Sequence, residues 1–170
     1  MRGTQLSLEN LASLEAIADE QFQMELLEGV SRTFALTIPQ LPDSLCKAVA
    51  NAYLLCRIVD TIEDEVSLTP EQKKYFCHGF INVVQSCQHS EAFANELAPL
   101  LSSNTLPAEH VLIHVIPRVI HITHQFDKEQ IAALSTCVET MAEGMPLFQA
   151  ENMHSGLPAL SDMDRYCYYV

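Results

Sequence analysis

Ala48-Val-Ala-Asn-Ala-Tyr-Leu-Leu-Cys-Arg-Ile-Val-Asp-Thr-Ile-Glu-Asp64 is the stretch that decides the fold of this chain. Most of it is apolar enough to form a buried helix, yet it carries Arg57 and Asp60. An α-helix has about 3.6 residues per turn, so Tyr53, Arg57, Asp60 and Asp64 project from one face. The sequence therefore predicts a buried helix with a single polar stripe.

The stripe has the residue types of a metal–diphosphate site. Charged groups on so apolar a helix are costly unless they are paired or bind something. Magnesium takes oxygen ligands from one or two carboxylates together with substrate phosphate. Asp60 and Asp64 are the candidate ligands, with Glu63 beside them. The alternative is the solvated side of an amphipathic helix, which is less favoured because Arg57 places the opposite charge among the carboxylates.

Five segments carry a resemblance to a known family. Arg57–Asp64 resembles the first aspartate-rich motif of the squalene/phytoene synthase family, in a form closer to the squalene synthase type. Tyr53–Arg57 resembles the stretch that precedes this motif there. Val30–Phe34 resembles the family's Ser-Arg-(Ser/Thr)-Phe segment. Met141–Phe148 resembles its mid-chain helix, and Asp164–Val170 resembles the start of its Tyr-Cys-x-Tyr-Val-Ala-Gly segment.

The resemblance implies a prenyltransferase of the isoprenoid synthase fold that joins two farnesyl diphosphates head to head through a cyclopropyl intermediate. It implies Mg²⁺ as cofactor and NADPH where the product is reduced. The residues that it implies are, for substrate binding, Ser31, Arg32, Phe34, Tyr53, Arg57, Met145 and Phe148; for the chemistry, Tyr166 and Tyr53; and for the metal, Asp60, Glu63 and Asp64.

Taken without the resemblance, several of these residues have plainer interpretations. Ser31 and Arg32 are equally typical of a helix cap followed by a surface arginine. Met145 and Phe148 lie on a stripe that usually only packs. Tyr166 could be a half-buried tyrosine. A zinc site is disfavoured for the histidines at 110, 114, 121 and 124, because no cysteine or carboxylate completes a ligand set nearby.

The family pattern continues beyond the segments found here, with a second aspartate-rich motif after the Tyr-Cys-x-Tyr-Val segment. We therefore expect residues 1–170 to form a single helical domain that corresponds to the N-terminal half of the family domain. A truncated gene, a cleaved product and a deliberate shortening remain open as its origin. We expect this chain alone to be inactive. The parent product could be squalene, dehydrosqualene or phytoene.

Composition limits the other function classes. The chain has 170 residues, of which 48% are hydrophobic and only 5 are glycine, which suits one helical domain with a sizeable core. Its formal net charge of -13 argues against nucleic acid as a partner.

The main competing hypothesis is an inactive helical fragment that self-associates through residues 128–170. The absence of an Asp-Asp-x-x-Asp run argues against chain-elongating prenyltransferases and terpene cyclases.

The N-terminal sequence and the spacing of the cysteines bear on the cellular location of the protein and on the state of its thiols. Met1–Asn10 has no apolar segment of the signal-peptide kind, and no apolar run has the length of a membrane span. We expect a cytoplasmic protein without a transmembrane segment, with peripheral membrane contact left open.

The six cysteines form no Cys-x-x-Cys, so we expect buried free thiols.

Helical patterning covers the chain and predicts five to seven antiparallel helices around a cavity. Thr69–Gln72 and Asp127–Gln130 have the pattern of capping boxes and should each open a helix. A continuous first helix is expected from Leu8 to Gly29, and Pro117 is expected to kink a later helix. No alternating strand pattern is present.

Overall fold

The computed structural model describes residues 6–86, 89–150, 156–157 and 159–169, without the side chains of 147–150. Within these ranges there is no strand and no helix with the length and apolar character of a membrane crossing. The all-α class is thus confirmed. The α-helices are α1 (Leu11–Glu15), α2 (Asp19–Val30), α3 (Arg32–Thr37), α4 (Asp43–Asp64), α5 (Pro70–Ser86), α6 (Ser90–Leu97), α7 (Pro107–His114), α8 (Ile116–Thr123), α9 (Lys128–Ala150) and α10 (Leu160–Tyr169).

Helix α4 lies at the centre of the molecule and packs against α2, α5, α7, α8 and α9. The face opposite the polar stripe is fully buried, as the sequence predicts, and consists of Leu54, Leu55, Ile58, Val59 and Ile62. Burial of one such side chain contributes about 1.5–3 kcal/mol. This packing fixes the rotation of α4 and therefore the direction in which its polar stripe points.

Both predicted capping boxes are confirmed. The Thr69 amide donates to the Gln72 side chain at 2.9 Å, and the Gln72 amide donates to the Thr69 hydroxyl at 3.3 Å. At the start of α9, the Gln130 amide donates to the Asp127 carboxylate at 2.8 Å, and the Asp127 amide donates to the Gln130 side chain at 3.3 Å. These contacts satisfy backbone N–H groups that have no partner within the helix.

The prediction of one continuous first helix is wrong, because the chain breaks between α1 and α2. Arg118 of α8 donates hydrogen bonds to the carbonyl groups of Leu14 and Ile17 at this break. Its guanidinium also pairs with Asp19 at 2.9 Å and lies 4.2 Å from the Phe22 ring centroid. The break is thus held by a residue about a hundred positions away in the sequence, which no local pattern can reveal.

The number of helices also exceeds the five to seven that we predict. Pro117 ends one helix and starts another instead of bending a single one, since α7 ends at His114 and α8 begins at Ile116. Proline fits the first turn of a helix because its missing N–H has no partner there. This division and the break before α2 together explain part of the difference between the predicted and the observed number of helices.

The expectation of buried thiols is only partly correct. Five described cysteines are free, and among them Cys77 is buried while Cys46 and Cys56 are half-buried. Cys137 and Cys167 are exposed. Helical patterning places a cysteine on a helix but does not say whether a later helix covers it.

A buried polar chain joins three helices at the middle of α4. Gln23 of α2 donates to the Asn51 side-chain oxygen at 3.1 Å, and Asn51 donates to the Thr123 hydroxyl of α8 at 2.7 Å. All three residues are buried. Because buried polar groups are costly when unpaired, these contacts fix how α2 and α8 pack on α4.

We expect Asn51→Ala to lower the free energy of unfolding by about 2 kcal/mol, because the hydroxyl of Thr123 and the amide of Gln23 each lose a buried partner. The corresponding fall in Tm is about 5 °C for a chain of this size. Urea unfolding and thermal melts measure both. Asn82→Ala, at an exposed position of α5, is the control and should leave stability nearly unchanged. Equal effects of the two substitutions would contradict this account.

Candidate functional site

The predicted stripe on α4 is assembled around Arg57. Its guanidinium donates to the Tyr53 hydroxyl at 2.9 Å, and its Nη1 lies 3.8 Å from Oδ2 of Asp60. The side chains of Arg57 and Asp60 are about three-quarters buried. The spacing of four and three residues along the helix therefore brings a hydroxyl, a cation and a carboxylate together in a place that water reaches only partly.

Glu109 of α7 completes this cluster, and the sequence gives no sign of it. Its Oε1 lies 3.7 Å from Nη1 of Arg57, and its Oε2 accepts a hydrogen bond from the Leu106 amide at 3.2 Å. The sequence indicates only that Glu109 lies in the first turn of a helix. The packing of α7 against α4 directs it to the stripe.

The guanidinium of Arg57 has hydrogen-bond donors that its present neighbours do not fully use. Its Nε is buried and has no hydrogen-bond partner among the residues that the structure describes. Both carboxylates lie at 3.7–3.8 Å from the same nitrogen, beyond the range of a short charge-assisted hydrogen bond. An anion with several oxygens, such as a diphosphate, offers acceptors that the present partners do not provide.

Burial raises the pKa of Asp60 to about 6, well above the usual range of a carboxyl group. The Arg57 guanidinium acts in the opposite direction, while the negative charges of Asp64 and Glu109 add to the increase. The ionised form of Asp60 is therefore poorly compensated by its neighbours. A divalent cation would supply the missing positive charge, and its binding would compete with the proton.

The other two predicted ligands differ in their positions. Asp64 is exposed at the end of α4, one turn after Asp60. Glu63 is buried on the side of α5, where its main-chain carbonyl accepts a hydrogen bond from Lys73. Burial raises the pKa of Glu63, and its Oε2 has no partner within the described ranges. Asp60 and Asp64 therefore share the stripe, whereas Glu63 lies apart from it.

A Mg²⁺ ion fits the donor set of Asp60 and Asp64. In the part of the chain that the structure describes, no three His, Cys, Asp or Glu side chains are arranged to hold a metal ion. Magnesium, however, commonly keeps several waters and uses one or two carboxylates plus substrate phosphate. The pair is thus suited to a metal that arrives with an anion and is less suited to one held by protein groups alone.

The Val30–Phe34 segment meets the stripe through an aromatic contact. The Phe34 ring packs on the Tyr53 ring with centroids 4.6 Å apart. The Ser31 hydroxyl accepts a hydrogen bond from the Phe34 amide at 3.3 Å, so the capping interpretation of Ser31 is confirmed. Arg32 is exposed at the start of α3. Phe34 thus links the segment to the residue that holds Arg57.

The remaining predicted residues lie on α9 and α10, which pack against each other. Met145 is half-buried against the core, and Tyr166 is half-buried on α10. The side chain of Phe148 lies outside the described residues. A Cβ added at Gly144 would come within 2.2 Å of the Tyr169 ring, so this glycine permits the close approach of α10.

Two other features lie apart from the stripe. An open groove of about 560 Å³ between α5 and α6 includes Lys74, Tyr75 and His78, and none of its lining residues belongs to the predicted site. The ring nitrogens of His110 and His124 each lie within hydrogen-bond distance of a backbone carbonyl oxygen. These two histidines therefore have structural partners.

Comparisons with known proteins agree with these motifs. A family model described as Squalene/phytoene synthase matches residues 27–170. The chain is 28% identical over 153 residues to Squalene synthase BSS of Botryococcus braunii, a match that covers 89% of this chain and 30% of that protein. It is 27% identical over 152 residues to a squalene synthase of Eremothecium gossypii and 26% identical over 150 residues to that of Schizosaccharomyces pombe, in each case over 86% of this chain. The matches cover 32% and 30% of these two proteins, so the chain spans about a third of the length of its curated relatives.

The charge cluster around Arg57 leads to two opposite effects on Asp60. Arg57→Met removes the neighbouring positive charge and should raise the pKa of Asp60 further. Glu109→Gln removes a negative charge from the same cluster and should lower the pKa of Asp60. Carboxylate carbon resonances followed by NMR as a function of pH measure both. A shift of the same sign in the two variants, or no shift in either, would contradict the described geometry.

Proposed function

Because the chain belongs to the squalene/phytoene synthase family, we propose that it supplies the first diphosphate-binding part of a prenyltransferase that joins two farnesyl diphosphates head to head. The observation that carries this proposal is the position of Arg57, which is held by Tyr53 between Asp60 and Glu109 and whose Nε–H has no partner among the residues that the structure describes. The names of the relatives favour squalene as the product of the parent reaction over dehydrosqualene or phytoene.

We assign Mg²⁺ binding to Asp60 and Asp64. Bound Mg²⁺ would stabilise the negative charge that develops as the diphosphate leaves. The raised pKa of Asp60 supports this assignment, because a poorly compensated carboxylate gains more from a cation than a solvated one does. Glu63 would join the ligands only if its side chain left the buried position beside α5.

Arg57 would bind the diphosphate oxygens directly, as guanidinium groups do with phosphates. Tyr53 has a positioning role, since its hydroxyl accepts from Arg57 and its ring is fixed by Phe34. The exposed Arg32, two residues before Phe34, is available as a second cation. The negative charge that develops on the leaving diphosphate would thus be stabilised by cationic groups that need not move during the reaction. Such preorganised groups are the most effective form of electrostatic stabilisation.

The prenyl chain requires an apolar wall, and we assign that wall to α9 and α10. Met145 and Phe148 would contact the isoprenoid, and Tyr166 would orient the leaving group or pass a proton. Exclusion of water by this wall would protect a carbocation. Where the product is reduced, NADPH would be the hydride donor.

We further propose that residues 1–170 alone bind diphosphate without turning it over. The described ranges contain no group of three or more His, Cys, Asp or Glu side chains that could hold a metal ion by itself, and the curated relatives are about three times as long as this chain. A transition state that depends on two carboxylate clusters should lose most of its stabilisation when only one is present. A cytoplasmic location, peripheral membrane contact and self-association through residues 128–170 stay predictions.

The first test is binding of an unreactive thio analogue of farnesyl diphosphate, measured by calorimetry with and without Mg²⁺. We expect Mg²⁺-dependent binding to the wild-type chain. Asp60→Asn and Arg57→Met should each weaken it at least about tenfold, which corresponds to about 1.4 kcal/mol. Asp43→Asn changes an exposed acid on the same helix and is the matched control. Binding that ignores Mg²⁺, or an Asp60→Asn variant that binds like the wild type, would refute the proposal.

The second test concerns turnover. The 170-residue chain, supplied with farnesyl diphosphate, Mg²⁺ and NADPH, should release no inorganic diphosphate above background. A colorimetric diphosphate assay and extraction of prenyl products measure this. Product formation that disappears in Asp60→Ala would show that one carboxylate cluster is sufficient.

A further inference from the structure

Two thiols from different helices face each other close to the polar stripe. Sγ of Cys56 on α4 lies 3.7 Å from Sγ of Cys137 on α9, although the two residues are 81 positions apart in sequence. A disulfide bond is about 2.05 Å long, so a closing movement of less than about 2 Å would join the two sulfurs. Only the packing of α9 on α4 brings them together.

We propose that Cys56 and Cys137 form a redox-sensitive pair that closes into an intramolecular disulfide when the protein meets a hydroperoxide. The inference is independent of the proposed prenyltransferase function, because it concerns a modification of the chain itself. The cross-link would join the helix that carries Arg57 and Asp60 to the helix that carries Met141 and Met145.

The different exposure of the two thiols gives the order of the steps. Cys137 is exposed and can meet a peroxide, whereas Cys56 is half-buried. The hydrogen bond between the two sulfurs lowers the pKa of Cys137 to about 6, which favours its thiolate. The same contact, together with burial, raises the pKa of Cys56. Since the thiolate is the nucleophile, Cys137 attacks first and Cys56 resolves.

The chemistry balances with one peroxide per pair. The Cys137 thiolate attacks one peroxide oxygen, the O–O bond breaks, and a sulfenic acid forms while the leaving oxygen takes a proton to become water or an alcohol. The Cys56 sulfur then attacks the sulfenic sulfur, the S–S bond forms, the S–O bond breaks, and water leaves. Two thiols are oxidised and one hydroperoxide is reduced. A dithiol reductant reverses the reaction by exchange.

The test exposes the reduced, folded 170-residue chain to hydrogen peroxide at low molar excess and blocks the remaining thiols with an alkylating reagent. Intact mass should show loss of two hydrogens, and peptide mapping should show Cys56 linked to Cys137. Closing a loop of this length should raise Tm by about 10 °C. Dithiothreitol should restore the original mass and Tm.

Three variants assign the roles of the individual thiols. Cys56→Ser should stop at a sulfenic acid on Cys137, which dimedone traps, and should gain no Tm. Cys137→Ser should leave Cys56 alkylatable after peroxide treatment. Cys167→Ser removes another exposed thiol and is the matched control, which should keep both the cross-link and the rise in Tm. Circular dichroism before oxidation confirms that each variant is folded.

Several outcomes would overturn the proposal. These are a disulfide with different partners, a covalent dimer as the main product, or a wild-type chain that carries only single-thiol adducts. Equal yields of the Cys56–Cys137 link in folded and urea-unfolded protein would also overturn it, because the fold would then contribute nothing. No prenyl ligand is used, so failure here is distinct from failure of the proposed function.

Discussion

The constraint on which the structure depends is that α4 must be buried by five neighbouring helices and still carry charged groups. Its fully buried face lies opposite Arg57 and Asp60, which remain about one quarter exposed, and consists of Leu54, Leu55, Ile58, Val59 and Ile62. Arg57 is held among them by contacts with Tyr53, Asp60 and Glu109. The packing of the core and the geometry of the candidate site therefore both depend on the position of α4.

The neighbouring helices hold this arrangement at several points along α4. Asn51 connects α2 and α8 through the buried chain of hydrogen bonds. Tyr53 connects α3 through Phe34, and Cys56 connects α9 through Cys137. Glu109 brings α7 to the charged end. Because these contacts are spread over successive turns, neither sliding nor rotation of α4 is possible without breaking several of them, and the stripe is held in one orientation.

The sequence predicts those parts of the fold and the site that depend on neighbours within one or two helical turns. The Tyr53–Arg57–Asp60 cluster and the two capping boxes follow from spacings of three and four residues, and the structure contains them. The break before α2 depends instead on Arg118, 99 positions after Asp19. The pairing of Glu109 with Arg57 and that of Cys137 with Cys56 likewise require the packing of distant helices, which a single sequence does not encode in any local pattern.

We propose above that Asp60 and Asp64 hold a divalent cation together with a diphosphate. The most direct test of this proposal is paramagnetic broadening of carboxylate NMR signals when Mn²⁺ replaces Mg²⁺ in the presence of the unreactive thio analogue. We expect the signals of Asp60 and Asp64 to broaden first, at one equivalent of Mn²⁺, while the signal of Asp43 at the opposite end of α4 stays sharp. Equal broadening of Asp43 and the other exposed acids would contradict it, because the cation would then be responding only to the net charge of -13.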